Sequence, residues 1–281
     1  MTVRNVERRT VAGLHTTIWP GTGQAVVGLP GLSSTAAVWA PVAESLPDAN
    51  FVGPDLRGRG GSQHLAGTAG LRTHARDVAA LLDELDLQGV VVVGHSMGAY
   101  LAPVVAQEAP KRVARLVLID GGIPPAFPWV MRPAVVRMMF RRQLSSANHD
   151  WPDVESFARK GKFDRMVASQ PELRPVLLEM LRGELTGPDD KLRPRIDVDH
   201  AVADAADVFF GPDLGAALDA LTVPAAVFLA ENQKWEGQKP FISDRAVAPW
   251  LERQPLLSVR RLPGNHVTVL FAPEIREAIA A

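Results

Sequence analysis

The chain has 281 residues, 30 basic and 31 acidic side chains, a formal net charge of −1, 47% hydrophobic residues and no cysteine. Length and apolar fraction point to a sizeable globular core rather than a disordered, collagen-like or coiled-coil chain. The balanced charge argues against a nucleic-acid partner, and the missing thiols rule out a disulfide scaffold, a thiolate zinc site and a cysteine nucleophile. Six of the basic residues are Lys, a bias expected of a GC-rich bacterial genome. The opening MTVRNVERRT lacks the apolar run of a secretory signal. No stretch reaches the ~18 apolar residues that cross a bilayer, so a cytoplasmic location without stable membrane insertion is expected.

In chain order, strands are predicted at 25–29 and 50–56, a helix at 71–86, a strand at 89–94, a helix at 97–109 and a strand at 115–120. After a long interruption come a strand at 225–230, a helix near 243–253, a strand at 256–262 and a helix at 273–280. The runs at 89–94, 115–120 and 225–230 are apolar without alternation, as strands buried on both faces must be. Alternating strands and helices indicate an α/β protein with a mostly parallel sheet covered on both faces. Residues 123–222 are rich in proline and show no buried strand. They are predicted to form a helical cap over the strand ends, leaving 1–122 and 223–281 as the core.

The strand at 89–94 runs into Gly94-His95-Ser96-Met97-Gly98 and then a helix. This is G-x-S-x-G in its strand–turn–helix setting, which strains the serine and raises it at a helix N-terminus. With this elbow the chain resembles the α/β-hydrolase fold family over essentially its whole length. Three other segments carry the resemblance: Leu29-Pro30-Gly31-Leu32-Ser33 after an early strand, Pro54-Asp55-Leu56-Arg57-Gly58-Arg59-Gly60-Gly61-Ser62, and Gly264-Asn265-His266 near the C-terminus.

The resemblance implies a Ser96 nucleophile with His266 as its base; His266 is the only histidine in the last 81 residues. It further implies an oxyanion hole formed by the N–H groups of Met97 and Leu32. Pro30 stands where the family usually has His, which should stiffen the loop. Two positions compete for the acid. Glu231 lies near the usual one, but Gln233 stands where Asp is expected there. Asp120, 24 residues past Ser96, follows the strand after the nucleophile helix and is preferred, because the triad needs an ionised orienter.

Other signals read as structural. His95 is expected to face away from the site, His74 to lie at the surface, Asp55 and Arg57 to pin a loop beneath the site, and Asp197, Asp199, His200, Asp204 and Asp207 to form a solvated helix start rather than a metal site. The amphipathic stretch 130–144 is expected to roof an acyl pocket rather than bind a membrane. No phosphate-cradling or dinucleotide motif is present, so neither metal nor cofactor is predicted. A serine nucleophile, a single tyrosine and no Trp beside Ser96 disfavour epoxide and haloalkane chemistry. What remains is acyl transfer. Apolar material around Leu32, Trp39, Met97 and 123–144 suggests a small hydrophobic carboxylic ester as substrate. Thioester or lactone hydrolysis, and a ligand-binding protein on a hydrolase fold, stand as alternatives, and a homodimer stays open.

Overall fold

The computed structural model describes residues 5–65, 67–125, 131–235 and 237–281. The first strands are β1 (Glu7–Val11), β2 (Leu14–Trp19) and β3 (Ala25–Leu29). The short helix α1 (Ala40–Glu44) precedes β4 (Asn50–Pro54), and α2 (Leu71–Glu84) follows it. Then come β5 (Val90–His95), α3 (Met97–Glu108) and β6 (Val113–Ile119). The intervening region holds α4 (Pro133–Gln143), α5 (Val154–Gly161), α6 (Phe163–Met166) and α7 (Arg174–Glu184). It continues with the two-residue strands β7 (Leu185–Thr186) and β8 (Arg193–Pro194), then α8 (Val198–Phe210) and α9 (Asp213–Asp219). The chain closes with β9 (Ala225–Ala230), α10 (Asp244–Arg253), β10 (Leu257–Leu262) and α11 (Pro273–Ala280).

Eight strands form one sheet in the order β1-β2-β4-β3-β5-β6-β9-β10. From β4 to β10 all pairs are parallel; β1–β2 and β2–β4 are antiparallel. The absence of alternation has a direct cause. Val90 and Val92 of β5 feed the core on one face with Leu116 and Leu118 of β6, while Val91 and Val93 feed the other with Val117 and Ile119. After β3 the chain turns to β4 on one side and later returns to β5 on the other. Between β3 and β5 the sheet therefore has a topological switch point, and crevices open at the carboxyl ends of strands there.

The hairpin β1–β2 went unpredicted. Four of the five residues of β1 are exposed, and β2 buries Thr16 and Thr17, so neither shows an apolar pattern. Its turn, Ala12-Gly13, holds both residues at positive φ, as a two-residue hairpin requires. Between β6 and β9 the chain adds the helices α4 to α9 and the β7–β8 ladder. The last of these helices is not a roof: Leu214, Ala217 and Leu218 of α9 join the main core. Residues 1–4, which begin the segment read for a secretory signal, and 126–130, which fall in the predicted cap and include the first residue of the predicted roof, lie outside the described residues.

Candidate active site

At the end of β5 the backbone reverses at Ser96, with φ 55° and ψ −120°. Such a conformation is strained for a residue bearing a side chain. The flanking glycines make it possible: a Cβ on Gly94 would stand 2.1 Å from the Gly98 carbonyl oxygen, and one on Gly98 2.0 Å from that of Leu29. Helix α3 starts at the next residue. Its first N–H groups have no partner within the helix, and its dipole favours negative charge beside Ser96.

Asp120 and His266 meet beyond the ends of β6 and β10. Asp120 has φ 45°, and its carboxylate is 4% exposed. One oxygen accepts the Ala230 N–H at 3.0 Å; the other lies 2.6 Å from Nδ1 of His266. An ionised carboxylate accepts only, so Nδ1 carries the proton and Nε2 is left as the acceptor. The His266 loop is fixed by Asn265, whose Oδ1 accepts the N–H groups of Val267 and Thr268 and whose Nδ2 donates to the Met166 carbonyl of α6. Gln233 accepts the backbone N–H of His266. Glu231, the competing acid, is exposed, and its own N–H donates to Leu262. Among the described residues the carboxylate bonded to His266 is that of Asp120.

Ser96 and His266 line one cavity of about 430 Å³ with Leu32, Met97 and Asp120. The loop after β3 passes close to the serine, for a Cβ on Gly31 would lie 3.4 Å from Ser96 Cβ. The remaining wall is largely apolar, with Phe140, Leu177, Met180, Leu181 and Phe209. Glu184 also faces the cavity; its carboxylate accepts from the Ser34 hydroxyl. Burial pushes that carboxyl up to about 7.

Several expectations need correction. His95 does not face away: its Nε2–H donates to the His266 carbonyl at 2.8 Å, and the two rings lie 4.7 Å apart. Burial, with the neighbouring His266, lowers its pKa to about 3. It therefore stays neutral and adds no charge beside His266. His74 is fully buried, and burial lowers its pKa. Trp39 packs against Phe51 in the core rather than lining the cavity. The acidic run is not wholly solvated: Asp197 caps α8 by accepting the His200 N–H, but Asp204 is 1% exposed. In α4 the inward residues are Val136 and Phe140, while Met138 and Met139 are exposed. Asp55 does pin a loop, accepting the N–H groups of Ala36 and Gly61, and Arg57 is bidentate to Asp77. Local sequence carried no signal for Glu184, which meets Ser34 from 150 positions away, nor for the bond of Asn265 to Met166, 99 positions away.

The family model described as alpha/beta hydrolase fold matches residues 24–160. Lipase LipV of Mycobacterium tuberculosis is 34% identical over 114 residues, 40% of this chain and 43% of that protein. A putative carbamate hydrolase RutD of Caulobacter vibrioides is 31% identical over 156 residues, 54% of this chain and 55% of the relative. The chain thus spans about half, or less, of the length of the curated relatives it matches. The solved structure of E-2-(acetamidomethylene)succinate hydrolase superposes with a TM-score of 0.77 at 23% identity, covering 98% of both chains. That likeness establishes the fold.

Proposed function

We propose that this chain, which belongs to the α/β-hydrolase fold family, is a serine hydrolase that cleaves a small hydrophobic carboxylic ester through an acyl-enzyme. The observation that carries the proposal is the strained Ser96 at the head of α3, sharing a cavity with a histidine whose Nδ1 is bonded to a buried carboxylate. Asp120 holds the imidazole in the tautomer whose Nε2 can take the serine proton. Ser96 Oγ then attacks the ester carbonyl carbon. The N–H groups of Met97 and Leu32 stabilise the oxyanion. His266 returns the proton to the departing alkoxide, and a water activated by the same base releases the acid. The apolar walls fit a hydrophobic acyl or alcohol portion.

A fluorophosphonate probe tests the nucleophile: it should label Ser96, and Ser96→Ala should abolish labelling while the protein stays folded. Labelling that persists in the Ala variant would remove Ser96 from this role. A panel of p-nitrophenyl esters, thioesters and lactones tests the substrate class. Turnover of esters above the other two supports the proposal; preference for a thioester or lactone moves the substrate but keeps the acyl-enzyme. Tight binding with no turnover would make the chain a ligand-binding protein.

A further inference from the structure

Arg59 is fully buried, and its guanidinium meets five groups, one of them Nδ1 of His200, 3.3 Å from Nη1. Nε donates to the Leu32 carbonyl at 2.8 Å, and Nη1 to the Arg57 carbonyl at 2.7 Å. Nη1 also lies 2.5 Å from the Asp204 carboxylate, and Nη2 3.9 Å from Met97 Sδ. Leu32 and Met97 both line the cavity and are the two residues whose N–H groups are proposed to stabilise the oxyanion. Arg59 contacts both without itself lining the cavity.

Its counter-charge belongs to a different part of the chain. Asp204 sits on α8, in the region inserted between β6 and β9. One oxygen accepts the Gly70 N–H at 2.6 Å; the other receives Arg59, His74 at 3.0 Å and His200 at 3.3 Å. Burial pushes this carboxyl up, but bonds from His200 and His74, with the Arg59 charge, outweigh it and hold it below the usual range. The contact continues along the backbone: Gly60 N–H donates to the Arg195 carbonyl and Asp197 N–H to that of Gly58, each at 2.8 Å. His74, His200 and Asp204 bring ligand atoms within 4.8 Å of one another, as a metal site would. The guanidinium on the same carboxylate oxygen already supplies the positive charge.

We infer that Arg59 is a positioning residue for acyl transfer, fixing Leu32 and Met97 for the oxyanion and tying that geometry, through Asp204, to the seating of α8. The inference rests on the functional reading above. The planar fork accounts for the choice of Arg. One rigid group spreads its donors over two carbonyls and a carboxylate, whereas an ammonium carries its three donors on a single nitrogen at the end of a flexible stem. The guanidinium also engages the Leu32 carbonyl with a donor that does not line the cavity. A carbonyl facing Ser96 would place partial negative charge where the oxyanion forms.

Two variants test it. Arg59→Lys keeps the charge opposite Asp204 but loses the fork. The double variant Arg59→Met with Asp204→Asn removes both charges together, leaving neither buried alone. For each, kcat and KM on p-nitrophenyl butyrate, the rate of Ser96 phosphonylation and a melting curve are measured. Loss of a whole oxyanion donor costs about 10²–10³-fold in kcat. Misalignment rather than loss should lower kcat and phosphonylation by about 10-fold or more, with KM within about 3-fold, because the interaction is made in the transition state. Folded variants with kcat within about 2-fold of wild type overturn the inference. So does a rise in KM at unchanged kcat, which would make Arg59 a mere anchor for α8. If Arg59→Lys does not fold, the double variant decides. A wild type that neither labels at Ser96 nor turns over the ester sinks the functional reading and this inference together; normal wild-type behaviour with unaltered variants sinks the inference alone.

Discussion

Glu184, the last residue of α7, places an ionisable group in a largely apolar cavity wall. Burial raises its pKa from 4.5 to about 7; the bonds from Ser34 and the Thr35 N–H oppose the rise, and nearby Asp55 adds to it. The sign of the effect on stability follows. Between the unfolded value and about 7, the folded protein holds a proton that the unfolded chain has released, so stability falls as pH rises through that window. Above it the whole penalty is present. At about 1.4 kcal/mol per pH unit the ceiling is about 3 kcal/mol. Solvent reaches this carboxyl through the cavity, so about 1–2 kcal/mol is expected. Glu184→Gln removes the charge and retains an oxygen to accept from Ser34. The variant should match wild type at pH 5 and exceed it at pH 8, raising Tm there by about 2–8 °C. Melting curves of both proteins from pH 5 to 8, taken as a difference, cancel the other titrating groups. A difference that is flat with pH, or a variant less stable than wild type at pH 8, refutes the reasoning.

Two further outcomes are expected. Asp120→Asn keeps the side-chain shape but favours the wrong tautomer of His266, and should lower kcat by at least ~10²-fold, whereas Glu231→Gln should cost less than about 10-fold. Steady-state kinetics on one ester compare them, and the opposite ranking would return the acid to Glu231. Gly98→Ala puts a Cβ 2.0 Å from the Leu29 carbonyl oxygen, a backbone atom that cannot swing aside. It should destabilise the fold by at least about 2 kcal/mol in urea unfolding; a variant of wild-type stability would mean that the elbow is looser than its geometry implies.

Strands buried on both faces could be read directly from the sequence, because Val90 to Val93 leave no polar face to disguise. The hairpin β1–β2 could not, since an edge strand protected by Glu7, Arg8 and Arg9 carries charge where a core strand carries apolar side chains. The serine and histidine candidates were legible for a local reason: the elbow and the glycine-bearing loop at 264–266 are short motifs that impose their own geometry. Asp120 needed an argument about which of two strand ends could reach the histidine. The Arg59 cluster lay beyond reach. Asp204 is 145 positions away in sequence, and a buried ion pair with two histidines looks, residue by residue, like a solvated helix and a surface side chain.

The carboxylate of Asp120 is held on one side by the backbone of β9 and on the other by His266, 146 positions further along the chain. The order of synthesis gives this arrangement a consequence. Ser96 and Asp120 leave the ribosome long before the segment that carries the histidine, and β10 must join the sheet beside β9 before the imidazole can come to rest. A nascent or truncated chain that ends before residue 257 carries the proposed nucleophile and acid without the base. It could fold much of the sheet and still leave Ser96 without its proton acceptor. Acyl transfer by the proposed triad would then report completion of the whole chain, and the cell would hold no half-made hydrolase.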